Sequence, residues 1–172
     1  ERKAIVDNIS GVTRDRMYGF CEWNGKNFTV VDTGGYVQGS HDIFEEEIRR
    51  QVQIAMDEAA VIIFLVDVAT GITDLDEEIT KILRRSPKKV VLAVNNVDNS
   101  QRHLMANEFY SLGFQDTVFL SGITGSGSGE LLDMIADHLP DETNDELNPD
   151  IPKIAIVGQP NVGKSSMTNI LL

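Results

Sequence analysis

The chain has 172 residues, enough for one ordinary domain and too few for two full-sized ones. Its 15 Lys and Arg against 27 Asp and Glu leave a net charge of −12, which argues against a nucleic-acid grip of its own, because contact with a phosphate backbone needs a basic patch. A hydrophobic fraction of 41% excludes a disordered chain, and the single cysteine, Cys21, excludes an internal disulfide and a cysteine-built zinc site. No run approaches the roughly eighteen apolar residues of a membrane span, and ERKAIVDNISG lacks the apolar centre of a signal peptide. These features predict an acidic, soluble, cytoplasmic globular domain.

In chain order, Gly11–Asp15 reads as a loop. Met17–Trp23 and Lys26–Asp32 flank Asn24-Gly25, the dipeptide of a tight type I′ hairpin. Tyr18, Phe20 and Trp23 are expected to pack on or cover the sheet edge. Ile43–Ala59 predicts a helix with Ile48, Val52, Ala55, Met56 and Ala59 on one stripe. Glu45, Glu46 and Glu47 are placed in its first turn, where the positive end of the helix dipole favours them. Val61–Val66 is a continuous apolar run, as in a strand buried on both faces. Asp67 after it reads as a loop-anchoring acid. A helix over Leu75–Arg85, a strand over Val90–Val94, a strand over Val118–Leu120 and a helix over Gly129–Leu139 follow. Asp141–Asp150, with five acids and no base, reads as an exposed tether. Ile154–Val157 is a last strand, followed by an amphipathic stretch. Strands alternating with helices predict an α/β domain. His41, His103 and His138 are scattered without ligand spacing, and Cys21 reads as a small buried filler.

The strands stop at VVDTGG, LVDVATG, LAVNNVD, FLSGITG and IVGQPNVGKSS, so each delivers small or polar residues at its carboxyl end, where open α/β sheets bind ligands. Gly158 to Ser165 fits G-x-x-x-x-G-K-[ST], with Asn161, Val162, Gly163 and Ser166 in or beside the loop. Its glycines let backbone N–H groups curl around phosphate oxygens, Lys164 reaches the β and γ phosphates, and the Ser165 hydroxyl ligates Mg²⁺. Alongside such a loop, Asp32 can hold the Mg²⁺ shell through water and Gly35 N–H can meet a γ phosphate. In Asn95-Asn96-Val97-Asp98 the Asp98 carboxylate can accept from N1–H and the exocyclic amine of guanine, a pair that adenine does not offer. Ser121 and Gly122 can support Asp98 and offer an N–H to the base carbonyl. Thr13 can give Mg²⁺ a second hydroxyl and order its segment as a switch.

These residues resemble the translation-factor-related GTPases, and within them the Der (EngA) family of ribosome-assembly GTPases, which carry tandem GTPase domains. AIVDNISGVTRDRMYG, EWNGKNFTVVDTGGY, DIFEEEIRRQV, LVDVATGITDLD, NNVD and SGITGSGSGELLD carry the resemblance over essentially the whole chain. It implies a Ras-like P-loop GTPase fold: a three-layer α/β sandwich, mostly parallel, with one antiparallel hairpin. It implies GTP or GDP with Mg²⁺, hydrolysis as a switch in large-subunit ribosome biogenesis, a ribosomal partner and no membrane. Asn161 matches a phosphate-loop Asn that helps to bind K⁺ in related GTPases. Two residues depart from the family. Asn96 replaces the lysine of Asn-Lys-x-Asp, and Tyr36 stands where Ras-like GTPases have a water-orienting glutamine.

In the family the phosphate loop precedes the other motifs, whereas here it comes last. The order suggests that residues 1–140 are a first GTPase domain without its own first strand and phosphate loop. Residues 141–152 would then be the interdomain linker, and 153–172 the start of a second domain. The RNA-binding KH-like domain of the family is not in the chain. The alternative is a permuted single GTPase. Either way, Ile154–Leu172 is expected to fill the vacant slot, bringing Lys164 to Asp32 and Asp98 and Leu172 towards Glu1, in a monomer or by exchange in a swapped dimer. Rival readings are a nucleotide-sensing module with negligible hydrolysis and an inactive fragment with a split site.

Overall fold

The computed structural model describes residues 17–34, 41–141 and 151–172. The hairpin forms where the turn chemistry puts it. Asn24 and Gly25 take φ of 52° and 75°, as a two-residue type I′ turn requires. They join β1 (Met17–Trp23) to β2 (Lys26–Asp32), with Trp23 opposite Lys26 and Met17 opposite Asp32. The other strands are β3 (Val61–Asp67), β4 (Lys89–Asn95), β5 (Asp116–Phe119) and β6 (Lys153–Val157).

The sheet order is β1-β2-β6-β3-β4-β5, and every pair except β1–β2 is parallel. The last strand of the chain therefore lies at the middle of the sheet. Ala155 pairs with Val31 on one side and Ile62 on the other. Ile154 to Val157 are buried, as a strand with neighbours on both edges and helices on both faces must be.

Alternation along β3 divides the core in two. Val61, Ile63 and Leu65 point to the face covered by α4 (Ser128–His138) and α5 (Lys164–Leu171). Ile62, Phe64 and Val66 point to the face covered by α1 (His41–Glu58) and α2 (Asp74–Arg84). The result is a three-layer α/β domain with a mostly parallel sheet, as the alternation of elements predicted.

Four details differ from the expectations. The segment Ser100–Leu112, left without an element, forms α3 (Ser100–Ala106) and a 3-10 helix (Asn107–Leu112). Its apolar residues do not line one stripe. Leu104 and Met105 are exposed while Ala106, Phe109 and Leu112 are buried. Helix α1 starts two residues early, so Asp42 is its first-turn acid. Glu45 and Glu47 lie a turn further on, 3.6 Å and 3.8 Å from Arg49 and Arg50. Strand β5 begins two residues before Val118, although Leu120 N still donates to Val94 O. Finally, Phe20 is exposed, whereas Trp23 packs on the core and donates to Asp133 Oδ1. Cys21 is the expected buried filler, its Sγ donating to Leu171 O at 3.1 Å. His138 meets Asp116 at 2.6 Å, and His103 packs edge-on against Phe119. Asp67 anchors its loop by accepting from Ala69 N. No helix among the described residues is long and apolar enough to cross a membrane.

Candidate functional site

The carboxyl ends of β2, β6, β3 and β4 open on the same side of the sheet, and the polar residues gather there. The loop after β6 begins at Gly158, with φ of 151°; a Cβ at this position would lie 2.2 Å from Leu65 O. Only glycine fits such an approach to a neighbouring backbone. Asn161 takes φ of 62° and Gly163 φ of 100° before α5 starts at Lys164.

Asn95, at the end of β4, holds this loop. It is 2% exposed; its Nδ2 donates to Val162 O at 2.8 Å and its Oδ1 accepts from Gly122 N at 2.8 Å. One buried amide thereby joins three loops that are far apart in sequence.

Asp32, at the end of β2, meets the same loop from the other side. Its Oδ1 accepts from Gly34 N and its Oδ2 from Ser165 Oγ, both at 2.8 Å. Lys164 lies beside it, donating to Gly158 O at 3.0 Å and Gln159 O at 2.6 Å. Burial pushes the Lys164 ammonium down to about 8, opposed by the nearby Asp32 carboxylate. These groups border a cleft of about 430 Å³ lined by Gly34, by Ile48 and Gln51 of α1, and by residues of the loop and the start of α5, Asn161, Ser165 and Ser166 among them. Backbone N–H groups at a helix start, a lysine and a hydroxyl beside a carboxylate suit a phosphate with a divalent cation.

Asp98 stands three residues beyond Asn95, in a turn where Asn96 takes φ of 65°. Asp98 Oδ1 accepts from Asn99 Nδ2 at 3.0 Å, and its Oδ2 from Arg102 Nη1 at 3.2 Å. Ser121, expected to support Asp98, instead accepts from Thr124 N through its Oγ, and Gly122 N is engaged by Asn95. Thr13, Gly35 and Tyr36 lie outside the described residues, as do Glu1 and the tether 142–150.

Sequence reasoning missed the seat of Gln159. Its Nε2 donates to Thr73 Oγ1, the N-cap of α2. Thr73 and Asp76 form a capping box: Thr73 Oγ1 accepts from Asp76 N, and Asp76 Oδ2 from Thr73 N. Asp76 is 1% exposed, and burial raises its carboxyl above the usual range. The Thr-x-x-Asp spacing at 73–76 is a legible cap, but Gln159 occupies a position of the loop pattern that accepts any residue.

Against known proteins, residues 1–96 match the family described as 50S ribosome-binding GTPase. The matched stretch ends before the phosphate-type loop at Gly158. The chain is 56% identical over 172 residues to GTPase Der of Flavobacterium johnsoniae, covering 99% of this chain and 39% of that protein. It is 54% identical over 171 residues to GTPase Der of Christiangramia forsetii, with the same coverage of 99% and 39%. The chain thus spans about two fifths (39%) of the length of these relatives. Among solved structures, Era in complex with MgGDPNP and a segment of 16S ribosomal RNA aligns with a TM-score of 0.62 at 22% identity, over 87% of this chain and 52% of that one. That likeness is one of fold.

Proposed function

The chain belongs to the 50S ribosome-binding GTPase family, and from that premise we propose that it binds GTP and GDP in one site assembled from its two ends. The observation that carries this reading is the contact of the C-terminal segment with the ends of β2 and β4, on either side of it, through Ser165–Asp32 and Asn95–Val162. In this reading residues 153–172 fill the slot that residues 1–140 leave open, and 141–152 is the connection between them.

The proposed roles are these. Backbone N–H groups of Gly158–Ser166 and the Lys164 ammonium cradle the phosphates. Ser165 Oγ would ligate Mg²⁺, and Asp32, 2.8 Å from that hydroxyl, would hold the ion's water shell. Mg²⁺ bound there would neutralise phosphate charge, with Thr13 adding a second hydroxyl. Asp98 reads the guanine edge, while Asn95 fixes the phosphate loop and Gly122 around it.

For hydrolysis, water attacks the γ phosphate in line while Lys164 and the loop N–H groups stabilise the spreading negative charge. Gly35 would meet the γ phosphate, and Asn161 would help to hold a K⁺ ion, which would supply further positive charge there. Tyr36 has no amide with which to position the water. Loss of the γ phosphate frees the Thr13 and Gly35 segments, so turnover resets a binding surface. The longer relatives named GTPase Der support a cytoplasmic role in ribosome assembly. Asn96, in place of the family lysine, and Tyr36 favour a second reading, a nucleotide sensor with negligible turnover.

The test is titration of the intact chain with a fluorescent GDP analogue, with and without Mg²⁺. Saturable binding that Lys164→Ala weakens at least tenfold supports the reading. No binding by the monomer, or no change in Lys164→Ala, overturns it.

A further inference from the structure

We propose that Arg102 competes with the guanine base for the Asp98 carboxylate and so lowers the chain's affinity for guanine nucleotides. The inference rests on the nucleotide-binding reading above and deepens it. Guanine offers Asp98 a planar pair of N–H donors, N1–H and the exocyclic amine. A guanidinium is a planar N–H fork of the same kind and pairs with carboxylates. In this chain one arm of such a fork already reaches the carboxylate: Arg102 Nη1 lies 3.2 Å from Asp98 Oδ2.

Two neighbours, Asn96 and Asn99, hold the pair in place. Arg102 Nη1 also donates to Asn96 O at 3.0 Å, from the residue where the family pattern has lysine. The Asn99 side chain accepts from Arg102 N at 2.9 Å, fixing the backbone of the first turn of α3. Asn99 Nδ2 donates to the other Asp98 oxygen at 3.0 Å. Both oxygens of Asp98 thus have donors supplied from within the next four residues, Asn99 and, in α3, Arg102. A base that pairs with both oxygens meets the Asn99 amide at Oδ1 and, at Oδ2, the positively charged guanidinium, with which it competes for the acceptor.

The side chains of Arg102 and Asp98 are 35% and 31% exposed, so the guanidinium can move into water when displaced. For an ion pair so exposed, the competition is modest, a factor of about two to five in affinity at low salt. It fades as salt screens the pair. It is selective for guanine, because adenine makes no use of Asp98.

The experiment titrates the intact chain, as wild type, Arg102→Gln, Arg102→Lys and Asp98→Ala, with fluorescent GDP and ADP analogues at low and at high salt. Thermal melts check that each variant is folded. The inference expects Arg102→Gln to bind GDP about two- to fivefold more tightly at low salt, with the gain lost at high salt and absent with ADP. Arg102→Lys, a point charge without the fork, falls between the two. A purely structural role for Arg102 would weaken binding on removal, not strengthen it. If wild type binds GDP and both Arg102 variants bind it equally or more weakly, the inference fails and the nucleotide reading stands. If neither wild type nor any variant binds GDP, the nucleotide reading fails and takes this inference with it.

Discussion

Asn95 and Val162 are 67 positions apart, yet Asn95 Nδ2 donates to Val162 O at 2.8 Å in a site that is 2% exposed to solvent at Asn95. The same amide accepts from Gly122 N, so its removal leaves two backbone groups without their partner. Asn95→Ala is expected to cost about 2 kcal/mol, which lowers the melting temperature by roughly 4–8 °C in a domain of this size. Asn95→Asp should cost at least as much, because it sets a carboxylate oxygen against Val162 O. A calorimetric melt with no shift for either variant would remove the clamp from the account.

Gly158 tests the seat of β6 itself. A Cβ there would lie 2.2 Å from Leu65 O, a backbone atom of β3, at a φ of 151°. Backbone cannot swing aside as a side chain can, so Gly158→Ala is expected to destabilise by more than about 2 kcal/mol and to abolish nucleotide binding. The control is Gly129 in α4, where an added Cβ meets nothing within 4 Å. Gly129→Ala should be neutral or slightly stabilising, since alanine favours helix. Equal melting temperatures for the two variants would mean that β6 is not seated between β2 and β3.

Local features were legible wherever one physical cause dominated. Asn24-Gly25 located the hairpin to the residue, because positive φ at two successive positions suits few other pairs. Helices α1, α2 and α4 fell within two residues of their predicted ends, each carried by an apolar stripe of 3.6 period. Ser100–Leu112 had no such stripe, because Leu104 and Met105 face water while Phe109 turns inward after the change to a 3-10 helix. At the candidate site, the motifs singled out Asp32, Lys164, Ser165 and Asp98, and the structure gathers the first three around one loop. Their partners were beyond local patterning. The Asn95–Val162 and Gln159–Thr73 contacts depend on strand order, which leaves no periodic trace, and the i,i+4 spacing of Asp98 and Arg102 does not by itself fix the rotamers that join them.

If the chain turns GTP over, Asn161 gives that activity an ionic signature. It lies in the loop before α5 with φ of 62°, at the position for which the family resemblance implies K⁺ binding. Phosphate release should be several-fold faster in KCl than in NaCl at equal ionic strength, and Asn161→Ala should remove the difference. Equal rates in both salts, with measurable turnover, would exclude K⁺ from the mechanism. Turnover at background in both favours the sensor reading.

Lys164 should make both stability and binding depend on pH, in opposite senses. Burial holds its pKa at about 8 in the folded chain, against 10.5 when exposed. Below pH 8 the ammonium is charged in both states, and the cost of burying it is fully present. Between about 8 and 10.5 the unfolded chain binds more protons than the folded one, so stability rises with pH across that window. The rise from this group is about 3 kcal/mol. Other lysines and the tyrosines also titrate there, so the measurement is the difference between wild type and Lys164→Met in urea melts of the nucleotide-free chain. Wild type should gain stability relative to the variant as pH rises from 8 to 10.5. Nucleotide affinity runs the other way. Phosphates need the charged ammonium, so above pH 8 binding must take up a proton, and affinity should fall by up to about tenfold per pH unit. Lys164→Arg, charged throughout, should show no such break even where its affinity is lower. A flat difference between wild type and Lys164→Met over the whole window would mean that the ammonium is not buried against Gly158 and Gln159.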